Sequence, residues 1–348
     1  MAVLTAYRRI IAGADGSTTS EIAERTAAHL AARLGAELIF VHVSEEEGDT
    51  GRATGILGAA VERATVLGVA ARPEHRTGPV EVSIMAAAAD LRADLLVIGD
   101  HGMGDANRFS LGGIPDRVAH FSPIDILVAK TSSHQKRPVS YARVLIATDG
   151  SLTAHQAAGR GYNLARALGA QVALVYVGDE MIGDIVLRDT ASRLGGEDIE
   201  RLVAKGNPAV QITRLAAATG QELIVVGNKG MTGSRRYIQR SVPNRVAHEA
   251  PVDVLISKTV GRSLFDIRPG EGAIVEIDGE KVAAFVDDDA TLYTLSARCQ
   301  HLGCTVAWNG RGRTWDCPCH GSRYEAKGAV INGPTTKPLP PVEVTKTL

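Results

Sequence analysis

Pro115-Asp116-Arg117-Val118-Ala119-His120-Phe121-Ser122-Pro123-Ile124-Asp125 returns 128 residues later as Pro243-Asn244-Arg245-Val246-Ala247-His248-Glu249-Ala250-Pro251-Val252-Asp253, with seven of eleven positions identical. Upstream, Ala14-Asp15-Gly16-Ser17 returns as Thr148-Asp149-Gly150-Ser151. A repeat of this length outranks local signals, because it means that one folding unit is present twice. In copy one, short apolar runs alternate with amphipathic ones. Arg9 to Ala12, Glu37 to Val43, Ala70 to Arg76, Asp94 to Gly99 and Asp125 to Ala129 read as strands. Thr18 to Leu34, Ile56 to Leu67, Val80 to Leu91 and Gly113 to His120 read as helices. Copy two repeats the pattern from Arg143 to Ser257. Alternating strands and helices with continuously apolar strands predict a parallel sheet covered on both faces. Ligands of such sheets bind beyond the carboxyl ends of the strands.

From Asp266 onward the texture changes to short strands punctuated by turn residues: Pro269-Gly270, Asp278-Gly279 and Asn309-Gly310. Ala273 to Ile277, Val282 to Val286 and Leu292 to Ser296 read as an antiparallel meander. All four cysteines lie in this last part, in Cys299-Gln300-His301-Leu302-Gly303-Cys304 and in Cys317-Pro318-Cys319-His320-Gly321-Ser322. Each cluster offers a Cys and a His at close range, a mixed thiolate and imidazole set, and each leaves one cysteine over. Zinc ribbons use C-x2-C spacing, which neither cluster has.

The two clusters resemble the Rieske iron–sulfur family. The resemblance implies that Cys299 and Cys317 hold one iron of a [2Fe-2S] cluster and that His301 and His320 hold the other. Two thiolates neutralise the oxidised core, where four would leave it doubly negative. His ligation therefore raises the potential to roughly −150 to +300 mV, against about −400 mV for plant-type ferredoxins. Ser322 and Tyr324 stand where high-potential members donate hydrogen bonds to a sulfide and a ligand thiolate. In that subclass, Cys304 and Cys319 would form a disulfide, and Gly333-Pro334 looks like the loop that covers the cluster. Trp308 and Trp315 flank the spacer, with packing as the expected role.

Copies one and two resemble the universal stress protein family in tandem. Nucleotide-binding members carry G-x2-G-x9-G-[ST] after the fourth strand, whose glycines let backbone N–H groups approach phosphates. An Asp at the tip of the first strand, here Asp15 and Asp149, holds adenine or ribose in those members. Copy one has Gly99, Gly102 and Gly112, but Gly113 in place of Ser or Thr, and Asp100 and Asp105 nearby would repel phosphate. Copy two has Gly227, Gly230 and Ser241, but Arg240 replaces the third glycine. Lys229, Arg235 and Arg236 make that loop basic, which favours copy two as the site for ATP or another adenine nucleotide. The plain alternative is that these glycines only end a strand and permit a tight loop. His42, His120 and His248 read as structural, packing or capping residues, and His155 as a weak nucleotide contact. The last strands would be exposed edges, so Ile124 to Ala129 is expected to pair with Val252 to Ser257 in an intramolecular pseudo-dimer; a homodimer remains open.

The expected fold is therefore α/β plus all-β. Two doubly wound parallel-sheet domains, residues 1–134 and 139–260, precede a small antiparallel β-domain at 264–348. Lys plus Arg number 38 and Asp plus Glu 39, which gives no electrostatic case for nucleic acid. No apolar run approaches the roughly 18 residues of a membrane span. Arg8-Arg9 meets Asp15 too soon for a twin-arginine signal, so the expected compartment is the cytoplasm, where a disulfide is unusual. A Rieske oxygenase needs a second iron held by two His and a carboxylate, and the chain has no D-x2-H-x4-H segment. The expected function is electron transfer or redox sensing with a redox protein or quinone-like partner. Such a chain could serve as the electron-carrying component of an oxidoreductase, and a stand-alone enzyme is not expected. The alternative is a nucleotide-binding regulatory module in which the cluster is a sensor.

Overall fold

The computed structural model describes residues 7–46, 48–101, 111–134, 139–196, 199–228, 241–258, 267, 269–277, 280–289, 291–310, 312–317 and 319–342. Residues 1–259 and 260–348 form two compact units.

In the first unit, copy one runs β1 (Arg9–Gly13), α1 (Thr18–Leu34), β2 (Glu37–Ser44), α2 (Thr50–Val66), β3 (Ala71–Thr77), α3 (Val80–Asp90), β4 (Leu95–Gly99), α4 (Gly113–Phe121), β5 (Asp125–Ala129) and the short turn α5 (Thr131–His134). Copy two runs β6 (Arg143–Ala147), α6 (Leu152–Leu168), β7 (Gln171–Val177), α7 (Glu180–Leu194), β8 (Glu200–Ala204), α8 (Pro208–Ala218), β9 (Leu223–Gly227), α9 (Val242–Glu249) and β10 (Asp253–Ser257). The first helix of each copy starts and stops in the same way. Ser17 caps α1 by accepting from the Ser20 N–H, and Ser151 caps α6 in the same way. Gly35 (φ 64°) and Gly169 (φ 72°) end these helices in the left-handed region that favours glycine.

The α2 helix begins at Thr50, ahead of the Ile56 start that sequence predicts. Gly51, Gly55 and Gly58 lower its intrinsic propensity. Burial of Ala53, Leu57, Ala60 and Ala64 along one face overrides that local preference.

The ten strands form one sheet in the order β3-β2-β1-β4-β5-β10-β9-β6-β7-β8. Pairing is parallel within each copy. It is antiparallel where the copies meet, with Ile126 opposite Ile256 and Val128 opposite Val254. Each copy thus covers the other's edge strand. Every residue of β4, β5 and β10 is buried. One apolar core lies under α1, α2, α6 and α7, and the other under α3, α4, α8 and α9.

The seam carries a reciprocal polar exchange. Asp125, fully buried on β5, accepts from the Lys258 backbone N–H at 2.7 Å, from the Tyr7 hydroxyl at 2.8 Å and from Arg160 of α6. Asp253, fully buried on β10, accepts from the Lys130 backbone N–H at 2.8 Å and from the Tyr141 hydroxyl. The Lys258 ammonium donates to the Ala119 and His120 carbonyls at the end of α4, and Lys130 donates to the His248 carbonyl of α9. A cation at a helix C-terminus meets the negative end of its dipole. Burial lowers the Lys258 pKa to about 8, with Asp125 opposing.

The second unit contains β11 (Gly272–Ile277), β12 (Glu280–Val286) and β13 (Leu292–Ser296) as one antiparallel sheet. A second antiparallel sheet holds β14 (Ala307–Asn309), β15 (Thr314–Asp316), β16 (Arg323–Glu325) and β17 (Val330–Asn332). Trp315 is fully buried, donates to the Ala326 carbonyl and packs on Trp308 at 4.8 Å between ring centroids. Trp315 belongs to the core of this unit, and the half-buried Trp308 packs against it.

Candidate functional site

The loops at 299–304 and 317–322 are closed by matching hydrogen bonds. Cys299 N–H donates to Cys304 O at 2.8 Å and Gly303 N–H to Cys299 O at 2.9 Å. Cys317 N–H donates to Ser322 O at 2.7 Å and Gly321 N–H to Cys317 O at 3.1 Å. The fifth residue of each loop must be left-handed to close it, and both are glycine, with φ 77° at Gly303 and 74° at Gly321. A disulfide joins Cys304 to Cys319 across a Cα separation of 6.6 Å.

This scaffold sorts the side chains. Cys299 and Cys317 are buried, while His301 and His320 are exposed and meet edge to face at 5.0 Å. The Cys317 sulfur lies within 4.8 Å of both disulfide sulfurs. Tyr324, fully buried on β16, has its hydroxyl 3.1 Å from Cys299 Sγ. The Gln300 N–H donates to that hydroxyl at 3.0 Å, which directs its O–H to the sulfur. Burial alone would push the Cys299 thiol up. The Tyr324 hydroxyl, the His301 backbone N–H and the Ser322 and Cys317 side chains together hold it below the usual thiol value. Burial, and then the Cys299 sulfur, raise the Tyr324 pKa. Ser322 Oγ is buried and makes no hydrogen bond of ordinary geometry. Gly333 passes so close to this loop that a Cβ there would stand 2.5 Å from Ser322 Cα.

The donor set fits a [2Fe-2S] cluster of Rieske type. It offers two buried sulfurs, one of them with its thiol pKa lowered by its neighbours, two adjacent imidazoles, and a buried hydroxyl with no acceptor of ordinary geometry among the described residues.

In the first unit, cavities open beyond the strand tips, on either side of the point where strand order reverses between β1 and β4 and between β6 and β9. Copy one's cavity measures about 990 Å³ and is lined by Asp15 and Gly99 among others. Copy two's measures about 200 Å³ and is lined by Asp149 and Gly227. Gly99 and Gly227 are required by close approach: a Cβ would lie 2.8 Å from Thr19 O and 3.0 Å from Thr153 O, respectively. Gly112 precedes α4 and donates its N–H to Asp100 O, and Gly113 opens that helix. Ser241 precedes α9, with its Oγ buried and unpaired among the described residues. Gly102, Asp105, Lys229, Gly230, Arg235, Arg236 and Arg240 lie outside the described residues.

Asp100 does not line copy one's cavity. It is buried, accepts from the Thr131 hydroxyl at 2.6 Å and sits 3.1 Å from His101 Nδ1. His248 bridges the copies, bonding Leu111 N–H at 3.1 Å and Asp116 at 3.0 Å, which agrees with a capping role. His155 faces Asp189 at 3.6 Å and does not line copy two's cavity. Sequence reading missed His42, Glu45, Glu46 and Asp49, which line copy one's cavity. The available signal was the longer connection between the second strand and second helix of copy one.

Residues 6–130, 140–188 and 179–258 match the universal stress protein family, and residues 260–343 match the Rieske [2Fe-2S] domain. Over 79 residues, 23% of this chain, the sequence is 48% identical to YhfW of Bacillus subtilis (strain 168), a protein named for a Rieske 2Fe-2S iron–sulfur centre; the match covers 16% of that protein. Over 103 residues, 29% of this chain, it is 34% identical to the cytochrome b6-f complex iron–sulfur subunit 2 of Nostoc sp. (strain PCC 7120), covering 53% of it. The chain thus spans about half or less of these relatives. Among solved structures, a universal stress protein from Archaeoglobus fulgidus DSM 4304 superposes with a TM-score of 0.61 at 20% identity, over 73% of this chain and 97% of that one, which shows the shared fold. Among the described residues, no helix is long and apolar enough to cross a membrane.

Proposed function

The chain belongs to the universal stress protein family and carries a Rieske [2Fe-2S] domain at residues 260–343, and from that premise we propose a one-electron redox protein whose stress-protein unit binds an adenine nucleotide or its nucleoside part. The observation that carries the redox reading is the sorting of the paired loops, with Cys299 and Cys317 buried and His301 and His320 exposed. In this reading Cys299 and Cys317 ligate one iron, and His301 and His320 the other. When bound, the cluster supplies reversible uptake of one electron at roughly −150 to +300 mV.

The chain's own residues prepare that chemistry. The Tyr324 hydroxyl steadies negative charge on Cys299. The buried Ser322 hydroxyl lies by the Cys299 sulfur and meets no acceptor of ordinary geometry among the described residues, which leaves it available to a sulfide. The Cys304–Cys319 bridge keeps the loops at one separation. Leu302, 67% exposed beside His301, offers an apolar contact for a redox protein or a quinone-like molecule. The nucleotide half rests on the strand-tip cavities and on Asp15 and Asp149 lining them.

Iron and acid-labile sulfide analysis of anaerobically prepared protein should return about two of each per chain. Zinc, or neither iron nor sulfide, overturns the redox reading.

A further inference from the structure

The two copies share a fold but not a cavity. Five residues, 45–49, join β2 to α2, whereas two, Gly178 and Asp179, join β7 to α7. Glu45, Glu46, Gly48 and Asp49 of the longer connection line copy one's cavity. In copy two, Tyr176 holds the strand position of His42 and packs over the start of α7. A Cβ on Gly178 or Gly183 would lie 2.8 Å from its ring. Space that is filled in copy two is therefore open in copy one.

The lining of the open cavity has a definite chemistry. Its floor is apolar, with Val41, Ile84, Ile98 and Val118. Its charged lining is mostly acidic among the described residues, with Asp15, Glu45, Glu46 and Asp49 against Arg52, and with His101 held 3.1 Å from Asp100. His42 lines it while only 7% exposed. His42 Nδ1 lies 2.6 Å from Ala14 O, and because a carbonyl only accepts, Nδ1 carries the proton. In the neutral ring Nε2 is then the acceptor, and no donor to it lies among the described residues. The N-terminus of α4 would attract an anion, but Asp116 already sits in its first turn.

We infer that copy one's cavity takes a nucleoside-class ligand, a planar heteroaromatic ring with an N–H donor and no net negative charge, and that its acidic rim rejects the same ring bearing phosphates. The floor buries the ring, His42 Nε2 accepts its N–H, and the rim carboxylates repel added negative charge. The inference rests on the reading that the stress-protein unit is an adenine-type binder, and it reverses the preference for phosphate that the family motif suggests.

The test is calorimetric titration of the full chain with adenosine, AMP and ATP, in low salt without divalent cations. Adenosine should bind most tightly and ATP at least roughly tenfold more weakly, with the gap narrowing as salt screens the rim. The triple variant Glu45→Gln, Glu46→Gln, Asp49→Asn, whose changes are all at exposed positions, should reduce the adenosine-to-ATP ratio roughly tenfold. His42→Phe should weaken adenosine roughly tenfold by removing the acceptor. ATP binding as tightly as adenosine overturns the charge inference and leaves the binder reading standing. No binding by any of the three overturns both. Binding insensitive to His42→Phe and to the triple variant places the ligand elsewhere and overturns the assignment to this cavity.

Discussion

The two loops around Cys299 and Cys317 and the two copies of the α/β repeat are both paired elements, yet the loops are alike in geometry where the copies differ. Each loop closes on itself with the same pair of backbone bonds and the same left-handed glycine. Each copy keeps the strand order of the other and the serine and glycine caps of its first helix, but their cavities differ about fivefold, 990 against 200 Å³. In the proposed ligation the loops each supply half of one site, so a change in either should disable both. The copies each supply a whole cavity, so one can fill while the other stays open. What the copies hold in common is their seam, where each depends on the other's Asp and Lys.

The largest effect should come from breaking one half-site. Cys317→Ala alone, or Cys299→Ala alone, should remove essentially all cluster iron, measured as iron per chain against wild type. Retention of half would mean that the loops act separately.

Next is the seam. Asp125→Ala leaves Arg160, Tyr7 and the Lys258 N–H without their buried acceptor and should cost about 3–5 kcal/mol in urea unfolding of the first unit. Asp253→Ala should cost less. The copy-one position equivalent to Arg160 is Thr26, which supplies no guanidinium. Equal losses would show that Arg160 contributes little.

The seam should also respond to pH. Folded Lys258 releases its proton near pH 8, while an unfolded lysine holds it to about 10.4. Between those values the unfolded chain binds more protons, so the Lys258 contribution to stability rises with pH and reaches its full value above the unfolded pKa. From pH 8 to 9.5 the gain is about 2 kcal/mol. Urea unfolding of wild type and Lys258→Met at both pH values should show the difference moving toward wild type. A constant difference would mean that the lysine is not titrating there.

The smallest effect sharpens the loop comparison, because among the described residues it is the first loop's cysteine that bonds Tyr324. Tyr324→Phe should lower the reduction potential by about 40 mV, the one-electron equivalent of a hydrogen bond worth about 1 kcal/mol. No change in a redox titration would remove that role.

The sequence carried much of this at short range. Cys299 with His301 and Cys317 with His320 are local motifs, and the repeated Pro-x-Arg-Val-Ala-His segment marked where each copy's last helix and strand fall. The start of α2 was misplaced because its glycines argue locally against helix, while burial of Ala53, Leu57 and Ala60 argues for it. His42 read as structural, and its bond to Ala14 O supports that; that its ring also lines a cavity depends on the 45–49 connection.

By itself, the chain of residues determined that a parallel α/β unit occurs twice and that two Cys–His loops follow it, because periodicity, glycine placement and ligand spacing act over a few residues. Only the tertiary structure decided that Asp125 and Asp253 bond across the seam to residues 133 and 123 positions away, and that one cavity is open and the other filled. Those outcomes depend on which distant side chains share a volume, and neither composition nor local pattern encodes a shared volume.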